Sequence, residues 1–114
     1  MTFHLTEEEP GVKYEFDLPG DLPHLTQLQH GRRVKIKPQR LTISASRFSE
    51  PGVLDVYIEG PTVKTNGSDG QHRRGVAFHD NVRQWDEPAS RMSELPAWAA
   101  THLARVREWE SNRR

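Results

Sequence analysis

Three groups of residues in this chain bear on chemistry: a run of cations, six scattered histidines and a short acidic tract. Arg32-Arg33-Val34-Lys35-Ile36-Lys37, continued by Arg40 and Arg47, places six positive and no negative residues between positions 32 and 48. On a strand, Arg33, Lys35 and Lys37 project from one face about 6.6 Å apart, a spacing that can follow a phosphate backbone. Arg73-Arg74 lie beside a polar loop and would extend that face, so a nucleic-acid-binding surface on this reading comprises Arg32, Arg33, Lys35, Lys37, Arg40, Arg73 and Arg74. The competing reading is internal pairing. Residues 1–31 carry six acids against one lysine, and residues 49–70 carry four acids against one lysine, so strands of opposite sign would neutralise one another. Arg73-Arg74 serve equally well as an edge-strand guard against aggregation. Neither an aromatic stacking platform nor a helix-turn-helix pattern accompanies the cations, which limits the nucleic-acid reading to nonspecific phosphate contact.

The histidines stand at positions 4, 24, 30, 72, 79 and 102, with no pair at the spacings of a metal-binding motif. No metal site and no cofactor is expected. His102 lies within an apolar stripe between Trp98 and Val106, where a boundary histidine bonded through a ring nitrogen to backbone competes with a pH-sensing or catalytic group. Glu7-Glu8-Glu9 precede a turn and read as a solvated tip. No Gly-x-Ser-x-Gly, phosphate-binding loop or dinucleotide fingerprint is present, so no catalytic residue is assigned and an enzyme is not the expectation.

Composition sets the frame for these groups. At 114 residues the chain is the size of one domain, and residues 1–114 are read as such. Leu, Ile, Val and Phe total only 24, which makes for a thin core, but 16 basic residues balance 16 acidic ones and the apolar positions are periodic, so the chain should fold. Without cysteine there can be no disulfide framework, thiolate nucleophile or cysteine-ligated zinc. The start Met-Thr-Phe-His-Leu lacks the pattern of a secretory signal, and no stretch approaches the roughly 20 apolar residues of a membrane span, so a cytoplasmic protein without membrane contact is expected.

The positioning elements follow from alternation. Residues 2–5 and 12–18 read as two strands joined by a turn at Glu9-Pro10-Gly11, with Val12, Tyr14, Phe16 and Leu18 on one face. Residues 19–31 read as an ordered loop whose Leu22, Leu25 and Leu28 cap the core. Val34 and Ile36 occupy even positions but Leu41, Ile43 and Ala45 odd ones, which predicts a bulge or bend at Pro38-Gln39. A second turn at Glu50-Pro51-Gly52 leads into a strand over 53–59 with Leu54, Val56 and Ile58 inward; residues 60–71 read as a long exposed connection before a last strand bearing Arg74, Val76 and Phe78. From Pro96 the period becomes helical, with Leu95, Trp98, His102, Val106 and Trp109 on one side and Ser93 or Leu95 as the cap. The expected fold is α+β: an antiparallel sheet of four to five strands with one C-terminal amphipathic helix packed on one face. Its core should hold Leu54, Val56, Ile58, Val76, Phe78, Trp98, Val106 and Trp109.

The ending Leu95-Pro96-Ala97-Trp98 before an Arg/Ala-rich helix, after a meander containing Glu59-Gly60-Pro61, resembles small uncharacterised proteins of actinobacteria and their phages over roughly the last 60 residues. That resemblance carries no functional residues; it implies an accessory or phage-encoded protein that acts by binding. Taken with the thin core, the reading favoured is a non-enzymatic protein-interaction module, forming a homodimer or docking on a larger assembly through a sheet edge or exposed apolar residues. The alternatives are the basic strand on nucleic acid and a small ligand-binding site or enzyme centred on His102.

Overall fold

The computed structural model describes residues 3–8, 11–46, 53–79 and 89–113. Strands β1 (Phe3–Glu8) and β2 (Gly11–Asp17) pair antiparallel, with Phe3 opposite Phe16 and Glu8 opposite Gly11. Both Glu-Pro-Gly turns fall wholly or partly outside the described residues, as does Arg47. β3 (Leu25–Gln29) and β4 (Arg32–Ile36) form a hairpin, and β5 (Arg40–Ser46) follows β4 after three residues. β2 and β3 lie along one side of this β4–β5 ribbon and β6 (Asp55–Val63) along the other. β7 (Asp69–His79) pairs with β6, and the short β8 (Ala89–Arg91) pairs parallel with the end of β7. A 3₁₀ turn (Met92–Glu94) then leads to helix α1 (Ala97–Arg113).

The architecture is therefore the expected α+β one, a largely antiparallel sheet with a C-terminal helix packed on it. Among the described residues it has eight strand segments rather than four to five, because residues 25–29 and 89–91 are also strands and one ribbon is broken in two where the chain bends. That break is the predicted bend at Pro38-Gln39. Arg40 is opposite Glu59, whereas Ile36 is opposite Thr62, so three residues on the β4–β5 side face two on β6. That extra residue is a bulge, and it resets the parity so that Ile36 and Pro38 before it, and Leu41 and Ile43 after it, are all buried. The ladder continues through the bulge: Lys37 N–H donates to the Pro61 carbonyl at 2.9 Å and Gln39 N–H to the Glu59 carbonyl at 2.9 Å.

Two sequence expectations are corrected. Residues 60–71 are not a long connection: β6 runs on through Gly60-Pro61 to Val63, β7 begins at Asp69, and the link is only 64–68. There Asn66 Oδ1 accepts from Ser68 N–H at 3.0 Å, and Gly67 takes φ +85°, a conformation glycine adopts without a steric penalty. Residues 25–29 are strand, not loop. They pair with β4 through a two-residue turn in which His30 (φ 50°) and Gly31 (φ 77°) both occupy the left-handed region, the turn type whose twist suits a hairpin. Leu28 consequently does not cap the core; it is 60% exposed.

The core lies between the sheet and α1. Tyr14, Phe16, Leu41, Ile43, Val56, Ile58, Val76 and Phe78 supply the sheet side, and Ala99, Leu103 and Val106 the helix side, with Leu54 buried beside them. The helix begins one residue later than the sequence suggests, with the Pro96 carbonyl accepting from Ala99 N–H (3.0 Å) and Ala100 N–H (2.9 Å). Its contact line runs through Ala99 and Val106, while Trp98 and Trp109 flank it half-buried. The small Ala99 side chain lets the backbone approach the sheet, and bulky indoles fit better at the margin than on the line of closest approach.

Candidate functional site

The seven predicted cations divide by whether an acid answers them across the sheet. Arg40 Nε lies 3.9 Å from Asp17 Oδ1, on the strand paired with it. Arg73 is held from β6 and from the link between β4 and β5: its Nη2 donates to Glu59 Oε1 at 3.1 Å and its Nη1 to Gln39 Oε1 at 2.7 Å. Internal pairing, the competing reading of the charge pattern, accounts for these two. His79 Nδ1 and Asp55 Oδ1 lie 2.6 Å apart, so three such pairs cross the face of the sheet opposite the helix. Arg32, Arg33, Lys35, Lys37 and Arg74 make no ion pair with a described residue.

Of these five, the structure gathers Arg33 and Lys35. Their register partners on β3 are Leu28 and Thr26, and the four side chains share the exposed face of the hairpin, where they line a shallow depression with Gln27. The turn geometry fixes the rest. In a two-residue hairpin the flanking pair, here Gln29 and Arg32, exchanges both backbone bonds, and the pattern then alternates along the strands. Thr26 and Leu28 are therefore at non-hydrogen-bonded positions with respect to β4, and their N–H and C=O groups point away from it. Among the described residues β3 pairs with no strand but β4, so those groups form a free sheet edge.

The opposite side chains of the same strand anchor it. Gln27, 6% exposed, donates from Nε2 to the Ala77 carbonyl at 3.1 Å and to Ser90 Oγ at 2.7 Å. Gln29 Nε2 donates to the Gly75 carbonyl at 2.8 Å and to Gln27 Oε1 at 3.0 Å. Two amides thus satisfy carbonyls on the edge of β7 and fasten the hairpin, leaving Thr26 and Leu28 outward.

His102 lies where α1 meets the sheet, between the half-buried Trp98 and the buried Val106. Its ring lies 4.6 Å from that of Phe16, and its buried Nδ1 has no hydrogen-bond partner among the described residues, against the expectation that a boundary histidine would bond to backbone. Burial lowers its pKa below the ordinary value of 6.5, with the nearby Arg105 cation adding to the effect. The unfolded chain therefore takes up this proton at higher pH than the folded one. The stability contribution of neutral His102 is complete above pH 6.5 and is lost as pH falls through the folded-state pKa. His102→Leu should flatten the acid limb of a stability-versus-pH curve measured by urea unfolding between pH 7.5 and about 4.5, while leaving helix content unchanged. An unaltered limb would show that His102 does not titrate on unfolding.

Ser44, Asp55 and His79 lie on three successive strands, with Asp55 opposite both of the others, so the backbones that carry the hydroxyl and the imidazole stand two strand spacings, about 9.6 Å, apart. Among the described residues no group of three or more histidines or acids is placed to hold a metal ion, and no helix is long and apolar enough to cross a membrane. Compared with known proteins, the chain matches no family model, no curated protein and no solved structure.

Proposed function

We propose that this chain is a non-enzymatic interaction module, an accessory protein of the kind its resemblance to small actinobacterial and phage proteins implies, and that it docks an extended segment of a protein partner along β3. The observation that carries this reading is the edge of β3 that no described strand covers: outward N–H and C=O groups at Thr26 and Leu28, the leucine side chain itself exposed, and the hairpin held in place from behind by Gln27 and Gln29. Natural proteins blunt open edges with charge, proline, bulges or a covering element, and Leu28 is the opposite of such a guard. An added strand would gain affinity from main-chain hydrogen bonds and specificity from side chains on alternate positions. The nucleic-acid reading has less support, since two of the seven cations it needs are engaged by Asp17 and Glu59.

Proline at position 28 removes one outward donor without removing a bond to β4, so Leu28→Pro is an edge-blocking variant. Selection of displayed random peptides against the wild-type chain should yield extended binders that lose at least about tenfold in affinity for L28P, given the worth of main-chain bonds at about 1 kcal/mol each and the loss of the leucine contact. Circular dichroism checks that the variant keeps its fold. Binders indifferent to L28P, or no enrichment at all, would overturn the proposal.

A further inference from the structure

We infer that the segment accepted by β3 is acidic and alternating, with a carboxylate beside Thr26 and an apolar residue beside Leu28. This rests on the β3 docking reading and adds the chemistry of the partner. Thr26 is opposite Lys35 and Leu28 opposite Arg33, both at positions where the backbones approach most closely and the side chains sit side by side. An added strand would lie one strand spacing, about 4.8 Å, beyond β3 and two from β4. Thr26 is short, so the long Lys35 side chain reaches across it to an acid on the added strand. Arg33 lies behind Leu28, and its stem and the leucine together make an apolar surface for one partner residue, with the guanidinium at its rim. Alternate residues of a strand face the same way, so the two requirements fall two positions apart: acid, any residue, apolar on a strand parallel to β3, and the reverse order on an antiparallel one.

The charge balance selects this occupant over others. Arg33 and Lys35 have no counter-charge among the described residues, whereas Arg40 and Arg73 do. A second copy of the chain paired β3 to β3 would bring two sets of Arg33 and Lys35 onto the same narrow face, and like charges there repel. Nucleic acid offers the anions but neither main-chain partners for the free edge nor an apolar group for Leu28.

The test uses the full chain and peptides of about six residues, a typical strand length, carrying Glu-x-Leu-x-Glu, Ser-x-Leu-x-Ser or Lys-x-Leu-x-Lys so that either strand direction presents the same pattern, measured by fluorescence anisotropy at low and high salt. The glutamate peptide should bind about tenfold tighter than the lysine peptide at low salt, with the preference shrinking as salt rises. Arg33→Glu with Lys35→Glu should reverse the order, and Leu28→Pro should weaken every peptide by at least about tenfold. Equal binding of the three peptides, still weakened in L28P, would overturn the acidic assignment and leave edge docking standing. Binding of none of them, or dimerisation through β3 in sedimentation without peptide binding, would overturn both. Single-stranded DNA bound more tightly than any peptide, and lost in the double charge reversal, would overturn both in favour of phosphate recognition.

Discussion

Alanine at position 16 will lower the unfolding free energy by about 3–5 kcal/mol, the cost of deleting a buried aromatic that its surroundings cannot refill. Phe16 is 2% exposed and joins the two layers: its ring lies 4.6 Å from that of His102 and 6.4 Å from that of Trp109, the latter nearly parallel at 17°. Its strand partner Leu41 is wholly buried beside it. A domain has only about 5–15 kcal/mol in hand, so the loss consumes between about a fifth and all of it. Urea unfolding followed by tryptophan fluorescence and far-ultraviolet circular dichroism measures the loss, with the wild-type m-value as the check that the same surface is exposed. Trp98→Ala should cost distinctly less, because Trp98 is half-buried at the margin of the helix contact. Equal losses at the two positions would mean that α1 is rotated so as to bury Trp98 against the sheet.

That contrast marks where periodicity succeeds and where it stops. The stripe through Trp98, His102, Val106 and Trp109 correctly identifies the helix and the side it turns to the sheet. It misplaces the centre line, because hydrophobicity weights the large indoles above Ala99, and alanine is what close packing requires. The bend at Pro38-Gln39 is legible because the parity of apolar residues changes there, and only an extra residue can reconcile that with a single core. β3 is hidden for the converse reason. Its inward positions include Gln27 and Gln29 and its outward ones Leu28, an inverted pattern that reads as loop when polarity alone is followed. The glutamines face inward because they have specific work there, bonding carbonyls on the edge of β7, and no local pattern announces a partner some fifty residues away. The pair His30-Gly31 between two five-residue runs is the one local mark of the hairpin.

The candidate site was half visible for a related reason. A run of cations shows that charge is concentrated, but not which charges are answered across the sheet; that depends on register. Asp17 meets Arg40 and Glu59 meets Arg73 because the strands pair as they do, and Arg33 and Lys35 remain because the strand opposite them carries Thr26 and Leu28. The proposed docking surface is therefore the remainder after internal pairing, and it includes a leucine and a row of backbone groups that no charge count reveals.

The bulge that sets the β3–β4 hairpin apart from the rest of the sheet depends on one glycine, and the second large effect is expected there. A Cβ on Gly60 would stand 1.7 Å from the Lys37 carbonyl oxygen, 2.8 Å from the carbon of that carbonyl and 3.3 Å from Gln39 N. These are backbone atoms, so no side-chain rotation relieves the clash and the ribbon itself must move. Gly60→Ala should therefore cost about 3 kcal/mol, the upper range for overpacking, and should strain the bonds from Lys37 N–H to Pro61 and from Gln39 N–H to Glu59. Hydrogen exchange at Lys37 and Gln39 should quicken relative to amides of β2 and α1, reporting local opening at the bulge. Gly75→Ala is the matched control. There the added Cβ meets the Tyr57 ring at 1.8 Å, but that ring is 44% exposed and can swing into solvent, so the loss should be small. If the two alanines were equally mild, the close approach of Lys37 to Gly60 would not be what shapes the bulge. If G60A alone is costly and also weakens peptide binding at β3, then the element that ends the regular sheet is the one that holds the docking edge in position.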